Sequence, residues 1–202
     1  MTTPPPLTLL DGPRTAGLPD PAIKVQVNIA GRSFEAGNRT AAHLRWTLQR
    51  LAKKHPDARA SIVKPCYVHI PPGHDDPSAG THDGDGVLDL VFVGIEWPAA
   101  QKFMRKHGWA AWWRHTGDWE PEDQWHVHVV SLGCPAKVGG FVPGQVADYH
   151  NHALGLKNQH EAGNDPTWHP KDISKTVFDY PRYQKKQAKK AAKKAAKAER
   201  LP

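Results

Sequence analysis

Four residues in two short stretches of the chain are of types that commonly bind metal ions. His82 lies in a segment rich in glycine and aspartate, and Asp89 follows seven positions later within an apolar run. His126 and His128 lie on either side of one valine in a second apolar run. Imidazole nitrogens and carboxylate oxygens are ligands of catalytic zinc, which takes three protein ligands and leaves a fourth position for water. The two stretches therefore predict one zinc site that they share.

The surroundings of these residues favour their meeting in space. Side chains on a strand alternate between its two faces, so a strand through His126 and His128 places both imidazoles on one face. Asp89 is the one charge in its apolar run, where a carboxylate is costly unless it is paired or bound to a metal ion. We therefore expect Asp89 to have a strong partner, which the histidines would supply.

Strands and helices must hold these stretches together. Apolar residues at every second position predict strands, and apolar residues three or four positions apart predict helices. Pro98 and Pro143 fit the first turns of helices, and Thr40 is a candidate helix cap. Since the elements do not alternate as regular βαβ units, the expected fold class is α+β, a small mixed or antiparallel sheet with flanking helices. The expected strands are 23–29, 60–69 with an interruption at Pro65, 86–93, 109–114 and 125–132, and the expected helices are 40–55, 98–107 and 143–153.

The chain divides into three parts. Residues 1–22 contain six prolines and are typical of an extended arm, residues 23–183 form the expected domain, and residues 184–202 form a tail rich in lysine and alanine. The formal net charge is +7, and the seven lysines, one arginine and one glutamate of residues 185–202 account for all of it. The basic tail from Lys185 to Lys197 is a candidate anchor for polyanions such as nucleic acid or a wall polymer.

The composition also argues against several classes of protein. No run approaches the roughly 18 consecutive apolar residues of a membrane helix, so no membrane insertion is expected. The N-terminus lacks the basic start and apolar core of a secretory signal, so we expect synthesis in a host cytoplasm and action at the cell wall only after release by another route. Cys66 and Cys134 are too few for a disulfide framework and are expected to be buried thiols.

The candidate ligands resemble the signatures of a known enzyme family. The spacing from His82 to Asp89 is similar to the SxHxxGxAxD signature of zinc D-alanyl-D-alanine peptidases, which include carboxypeptidases, VanX-type dipeptidases and phage endolysins. Glycine, aspartate and valine stand here where that signature has serine, glycine and alanine. The pattern of His126 and His128 is closer to lysostaphin-type and penicillin-insensitive murein endopeptidases. The wider run 78–170 resembles small peptidase-like proteins of actinobacterial phages.

The resemblance implies a fold and a set of ligands. The fold would be the small α+β core that these peptidases share with the Hedgehog signalling domain. His82 and Asp89 would be zinc ligands. In one arrangement His128 is the third ligand and His126 assists the attacking water or the transition state. In the other arrangement His126 is the third ligand and Asp123 is the general base.

The resemblance also implies an activity. The substrate would be the peptide part of bacterial peptidoglycan, hydrolysed during phage lysis or wall remodelling, and no residue is assigned to substrate binding. Two other functions fit the same residues. One is a catalytically inactive zinc-binding structural or interaction protein of the same fold, and the other is a nucleic-acid-binding protein that acts through its basic tail.

Overall fold

A computed structural model describes most of the expected domain and single positions of the tail. The described residues are 20, 22–68, 80–114, 125–132, 134, 142–155, 165, 167–170, 185, 188, 189, 192, 193 and 196. The fold is α+β, as the sequence predicts, with three helices and two antiparallel sheets within this part of the chain. The strands are β1 (Lys24–Ile29), β2 (Arg32–Gly37), β3 (Arg59–Lys64), β4 (Val87–Val93), β5 (Trp109–Arg114) and β6 (His126–Ser131), and the helices are α1 (Asn38–Lys54), α2 (Trp97–Lys106) and α3 (Val142–His150).

The first two strands form a hairpin that the sequence predicted only in part. β1 was expected, whereas β2 was not. Ile29 pairs with Arg32, so the turn has two residues, and both have positive φ, Ala30 at 52° and Gly31 at 84°. Two-residue turns with positive φ match the twist of a hairpin, but alanine is an unusual residue for such a turn. The signal at Gly31 therefore indicated a turn without indicating a returning strand.

The four-stranded sheet has the order β3-β4-β6-β5, so the two strands with the candidate ligands lie side by side at its centre. Every neighbouring pair is antiparallel. One face of the sheet, which includes Leu88, Leu90 and Val129, packs in the main core with residues of α1, α2 and the hairpin. The other face, which includes Val87, Ala110 and Val130, packs in a second cluster with Val142 and Tyr149 of α3.

The start of α1 differs from the expected one. The helix begins at Asn38, and its N-cap is Gly37, which has no side chain to bond to the first turn. Thr40 lies inside the helix, and its hydroxyl donates instead to the carboxylate of Asp85, 2.8 Å away. The prediction of Thr40 as the cap is therefore wrong, because a carboxylate distant in sequence does the work of a capping side chain.

The remaining elements follow the sequence closely. β5 has the predicted bounds, and Pro98 lies in the first turn of α2 as expected. α3 ends at His150, three residues before the expected end, and β3 ends at Lys64, directly before Pro65. A proline lacks the N–H that would continue the strand pairing.

The N-terminal arm and the basic tail lie largely outside the described residues. Of the proline-rich arm, only positions 20 and 22 are described. The described tail positions are helical and exposed. No helix within the described ranges is long and apolar enough to cross a membrane.

Candidate metal centre

The loop before β4 places His82 beside Asp89 of that strand. The carbonyl of His82 accepts the N–H of Val68 at 3.0 Å, and the carbonyl of Gly84 accepts the N–H of Tyr67 at 3.1 Å. These bonds fix the loop against the segment that follows β3. The side chain of His82 is fully buried, and its Nδ1 lies 3.1 Å from the carbonyl oxygen of Pro65.

Asp89 and His128 face each other across the central strands. The two residues are direct register partners between β4 and β6. Nδ1 of His128 lies 2.8 Å from Oδ1 of Asp89, and Nε2 of His82 lies 3.2 Å from Oδ2 of the same carboxylate. Strand alternation thus aims two of the side chains at one point, and the loop supplies the third.

The position of the proton on His82 determines whether its Nε2 can accept a metal ion. If Nδ1 of His82 donates to the Pro65 carbonyl, then Nε2 of the neutral ring offers a lone pair towards Asp89. This Nε2 is buried, and among the described residues no atom satisfies the hydrogen-bond geometry with it. A protonated Nε2 would pair with Asp89 directly, whereas a neutral Nε2 needs a cation between its lone pair and the carboxylate. The donor set can therefore hold a metal ion, and the ligand atoms of His82, Asp89 and His128 all lie within 4.8 Å of one another.

The environment favours the protonation states that a metal ion requires. Burial acts to raise the pKa of Asp89, but the neighbouring imidazoles of His82 and His128 outweigh burial and hold that pKa well below its usual range. Burial lowers the pKa of His128, although Asp89 acts in the opposite direction. An ionised carboxylate and a neutral imidazole are the forms in which these residues bind metal ions.

His126 lies beside this group rather than within it. Its Nε2 is 3.8 Å from Oδ1 of Asp89, and its side chain remains 13% exposed. Since His126 and His128 both approach the same carboxylate, they share a face of β6 as the sequence indicated. Asp123 lies outside the described residues. The structure thus brings together four of the five predicted site residues, and their individual roles stay predictions.

Three further residues near the group were missed by sequence reasoning. Oε1 of Gln145 in α3 lies 3.2 Å from Nε2 of His128. Trp112 and Arg114 on β5 are the register partners of His128 and His126. The period of β5 places these two on one face, but choosing which face required the strand pairing. Gln145 gave no signal, because its contact depends on how α3 packs on the sheet.

Comparisons of the chain with protein-family models, with curated proteins and with solved structures found no match.

Proposed function

We propose that this protein is a zinc-dependent peptidase that hydrolyses the peptides of bacterial peptidoglycan. The observation that carries the proposal is the buried group of His82, Asp89 and His128, with His126 on its more exposed side. Two imidazoles and one carboxylate are a donor set typical of catalytic zinc, which keeps one position open. The α+β fold with central antiparallel strands supports the D-alanyl-D-alanine peptidase-like architecture that the sequence suggested.

The chemistry follows from what each residue can do. Zinc, when bound, lowers the pKa of a water molecule and polarises the scissile carbonyl. His126, whose Nε2 lies 3.8 Å from Oδ1 of Asp89 on the more exposed side of the group, would take the proton from the attacking water and deliver it to the leaving amine. Asp123 remains the alternative base. His82, Asp89 and His128 hold the ion and keep their geometry because burial and hydrogen bonds fix all three.

The test separates metal binding from catalysis. Wild-type protein purified without chelators or a histidine tag should contain about one zinc per chain, and it should hydrolyse muropeptides. His82→Ala should lose both the zinc and the hydrolysis. His126→Ala should keep the zinc and lose roughly 10²–10⁴-fold in turnover, the usual contribution of a general base.

The exposed His150 offers a matched control for these variants. His150→Ala should retain both zinc and hydrolysis. Hydrolysis that survives either His82→Ala or His126→Ala contradicts the proposed activity.

The depth of the site favours a structural zinc centre as a second candidate. His82 is 0% exposed, Asp89 4% and His128 6%. Structural zinc usually has four protein ligands, and His126 is the nearest residue that could become the fourth. In that case zinc binding should raise the free energy of unfolding, His126→Ala should weaken zinc binding, and no muropeptide should be cleaved.

The tail supports a separate binding function. Its described lysines, Lys185, Lys189 and Lys193, are exposed and four residues apart in helical conformation. Lysines on an exposed helix bind polyanions without sequence preference by releasing counterions. Deletion of residues 185–202 should therefore abolish salt-sensitive retention on DNA while leaving zinc content unchanged. Retention that persists after deletion would place polyanion binding elsewhere.

A further inference from the structure

Each imidazole of the candidate metal centre has a hydrogen-bonding partner on the nitrogen that points away from Asp89. For His82 that partner is the backbone carbonyl of Pro65, 3.1 Å from Nδ1. For His128 it is the side-chain oxygen of Gln145, 3.2 Å from Nε2. Gln145 is 8% exposed, so its amide is largely removed from solvent. One partner belongs to the main chain, and the other is a side chain that substitution can remove.

We propose that Gln145 is a positioning residue that orients His128 for metal binding and accepts its Nε2–H when a metal ion is bound. Without the ion, Nδ1 of His128 lies 2.8 Å from Oδ1 of Asp89 and is placed to donate to it. When a metal ion takes the lone pair of Nδ1, the proton of the neutral ring is on Nε2, 3.2 Å from the oxygen of Gln145. Partners of this kind fix both the tautomer and the orientation of a ligating histidine. The proposal rests on the proposed function only in assuming that a metal ion binds between these residues.

The packing of α3 determines where Gln145 lies. Tyr149 follows Gln145 by one helical turn, so both side chains lie on the same side of the helix. Tyr149 is fully buried, with its ring 5.8 Å from that of Trp112 and 5.1 Å from that of His169. The guanidinium carbon of Arg105 lies 5.4 Å from the Tyr149 ring. These contacts fix the rotation of α3, and that rotation turns Gln145 towards His128.

The choice of an amide has a chemical consequence. A carboxylate in the place of Gln145 would pull the Nε2 proton of His128 more strongly and make Nδ1 a more basic ligand. The neutral amide orients the ring without adding negative charge, so the bound ion keeps more of its power to polarise a carbonyl. Gln145→Glu should therefore bind zinc at least as tightly as wild type, while Gln145→Met, of similar size but without an acceptor, should bind it more weakly.

The experiment reads the proton and the metal affinity separately. Long-range ¹H–¹⁵N NMR should show His128 protonated on Nδ1 in metal-free wild-type protein and on Nε2 after zinc is added, and Gln145→Met should need more zinc for the same change. Chelator competition should give a zinc affinity about 10–100-fold weaker for Gln145→Met and no weaker for Gln145→Glu. Val146→Ala, a partly buried neighbour on α3, controls for loosening of the helix and should leave the affinity unchanged.

Two results would overturn the proposal. One is a His128 that keeps its proton on Nδ1 when zinc is bound, and the other is a Gln145→Met variant that binds zinc as tightly as wild type. Neither measurement needs a substrate. Wild-type protein that bound zinc but cleaved no muropeptide would contradict the peptidase alone, and wild-type protein that bound no zinc would contradict both proposals.

Discussion

The backbone N–H of Gly37 donates to Oδ1 of Asp85 across 2.9 Å, which joins the start of α1 to the loop that carries His82. The other oxygen of the same carboxylate accepts the hydroxyl of Thr40. Asp85 is fully buried, and its negative charge lies at the positive end of the helix dipole. The loop of the candidate metal centre is therefore held by a helix that contributes no ligand to it.

We expect Asp85→Ala to destabilise the protein. The change leaves the N–H of Gly37 and the hydroxyl of Thr40 without their acceptor, and each unsatisfied buried group costs about 1–3 kcal/mol. Urea unfolding should show the loss in the free energy of unfolding. Glu35→Ala is the control, because Glu35 is exposed, pairs with the exposed Lys24 at 3.8 Å and should change stability by less than ~1 kcal/mol. Equal losses in the free energy of unfolding for the two variants would show that Asp85 does not anchor the loop.

Gly37 has a steric reason to be glycine. Its φ of −60° suits any residue, but a Cβ built there would overlap the carboxylate of Asp85. Gly37→Ala should therefore cost about 1–3 kcal/mol, the usual cost of overpacking. Gly144→Ala in α3 is the matched control, since a Cβ there meets nothing within 4 Å and alanine favours the helix. Thermal unfolding should show a lower midpoint for Gly37→Ala than for Gly144→Ala. An unchanged midpoint for Gly37→Ala would mean that the loop with Asp85 shifts to make room for the methyl group at little cost.

His43 should make stability depend on pH. Burial lowers its pKa from 6.5 to about 3, with the carbonyl of His107 acting against burial. Between these values the unfolded chain binds a proton that the folded protein does not, so the free energy of unfolding falls as the pH falls from 6.5 towards 3.

The His43 contribution to this slope should be at most ~1.4 kcal/mol per pH unit. His43→Gln cannot titrate and should show a correspondingly shallower slope in urea unfolding between about pH 4 and pH 7. Other buried histidines contribute equally to both proteins, so the difference isolates His43. Parallel slopes would mean that His43 is charged in the folded state or free to reach solvent.

Arg105 should hold the 165–170 segment against α2. Its Nη2 lies 2.5 Å from Oδ2 of Asp165, and its Nη1 donates to Thr167 Oγ1 at 2.6 Å and to the Trp168 carbonyl at 2.9 Å. Arg105→Met leaves the Asp165 charge buried and should cost about 3–5 kcal/mol. Lys106→Met, on the exposed side of α2, removes only the contact of Nζ with the Trp168 ring at 5.2 Å among the described residues and should cost at most ~1 kcal/mol.

A double-mutant cycle checks the Arg105 pair directly. Asp165→Asn in the Arg105→Met background removes the stranded charge, so the double variant should be less destabilised than the sum of the two single variants. Simple additivity would show that the two side chains act independently.

The sequence predicted the fold to the level of class and most elements. Alternation predicted β1, the apolar run predicted β4, and the proline at 98 predicted the start of α2. The two errors have different causes, one a distant residue and the other an unusual local conformation. Asp85 replaces a local cap at α1, and the turn at Ala30 uses a residue that is rarely found at positive φ.

The candidate site was predictable as a set of residues but not as an arrangement. The residue types and spacing predicted the members, because Asp89, His126 and His128 are polar residues at or within apolar runs and His82 precedes Asp89 by seven positions. The distances that place His128 closest to Asp89 depend on the register of β4 with β6. Gln145 could not be predicted, since an amide on a helix carries no pattern until the helix has a defined orientation.

β6 sends successive side chains into two different environments, and this alternation bears on how the chain finds its register. Val127 and Val129 enter the apolar core under α1 and α2, while His126 and His128 approach Asp89 on the opposite face. A slip of one residue between β4 and β6 would face Asp89 with a valine and remove the two partners of this buried carboxylate that lie on β6. Asp89, His126 and His128 therefore favour the native register during folding, even without a metal ion. A sheet paired one residue out of register would bury the Asp89 carboxylate without the two histidines of β6.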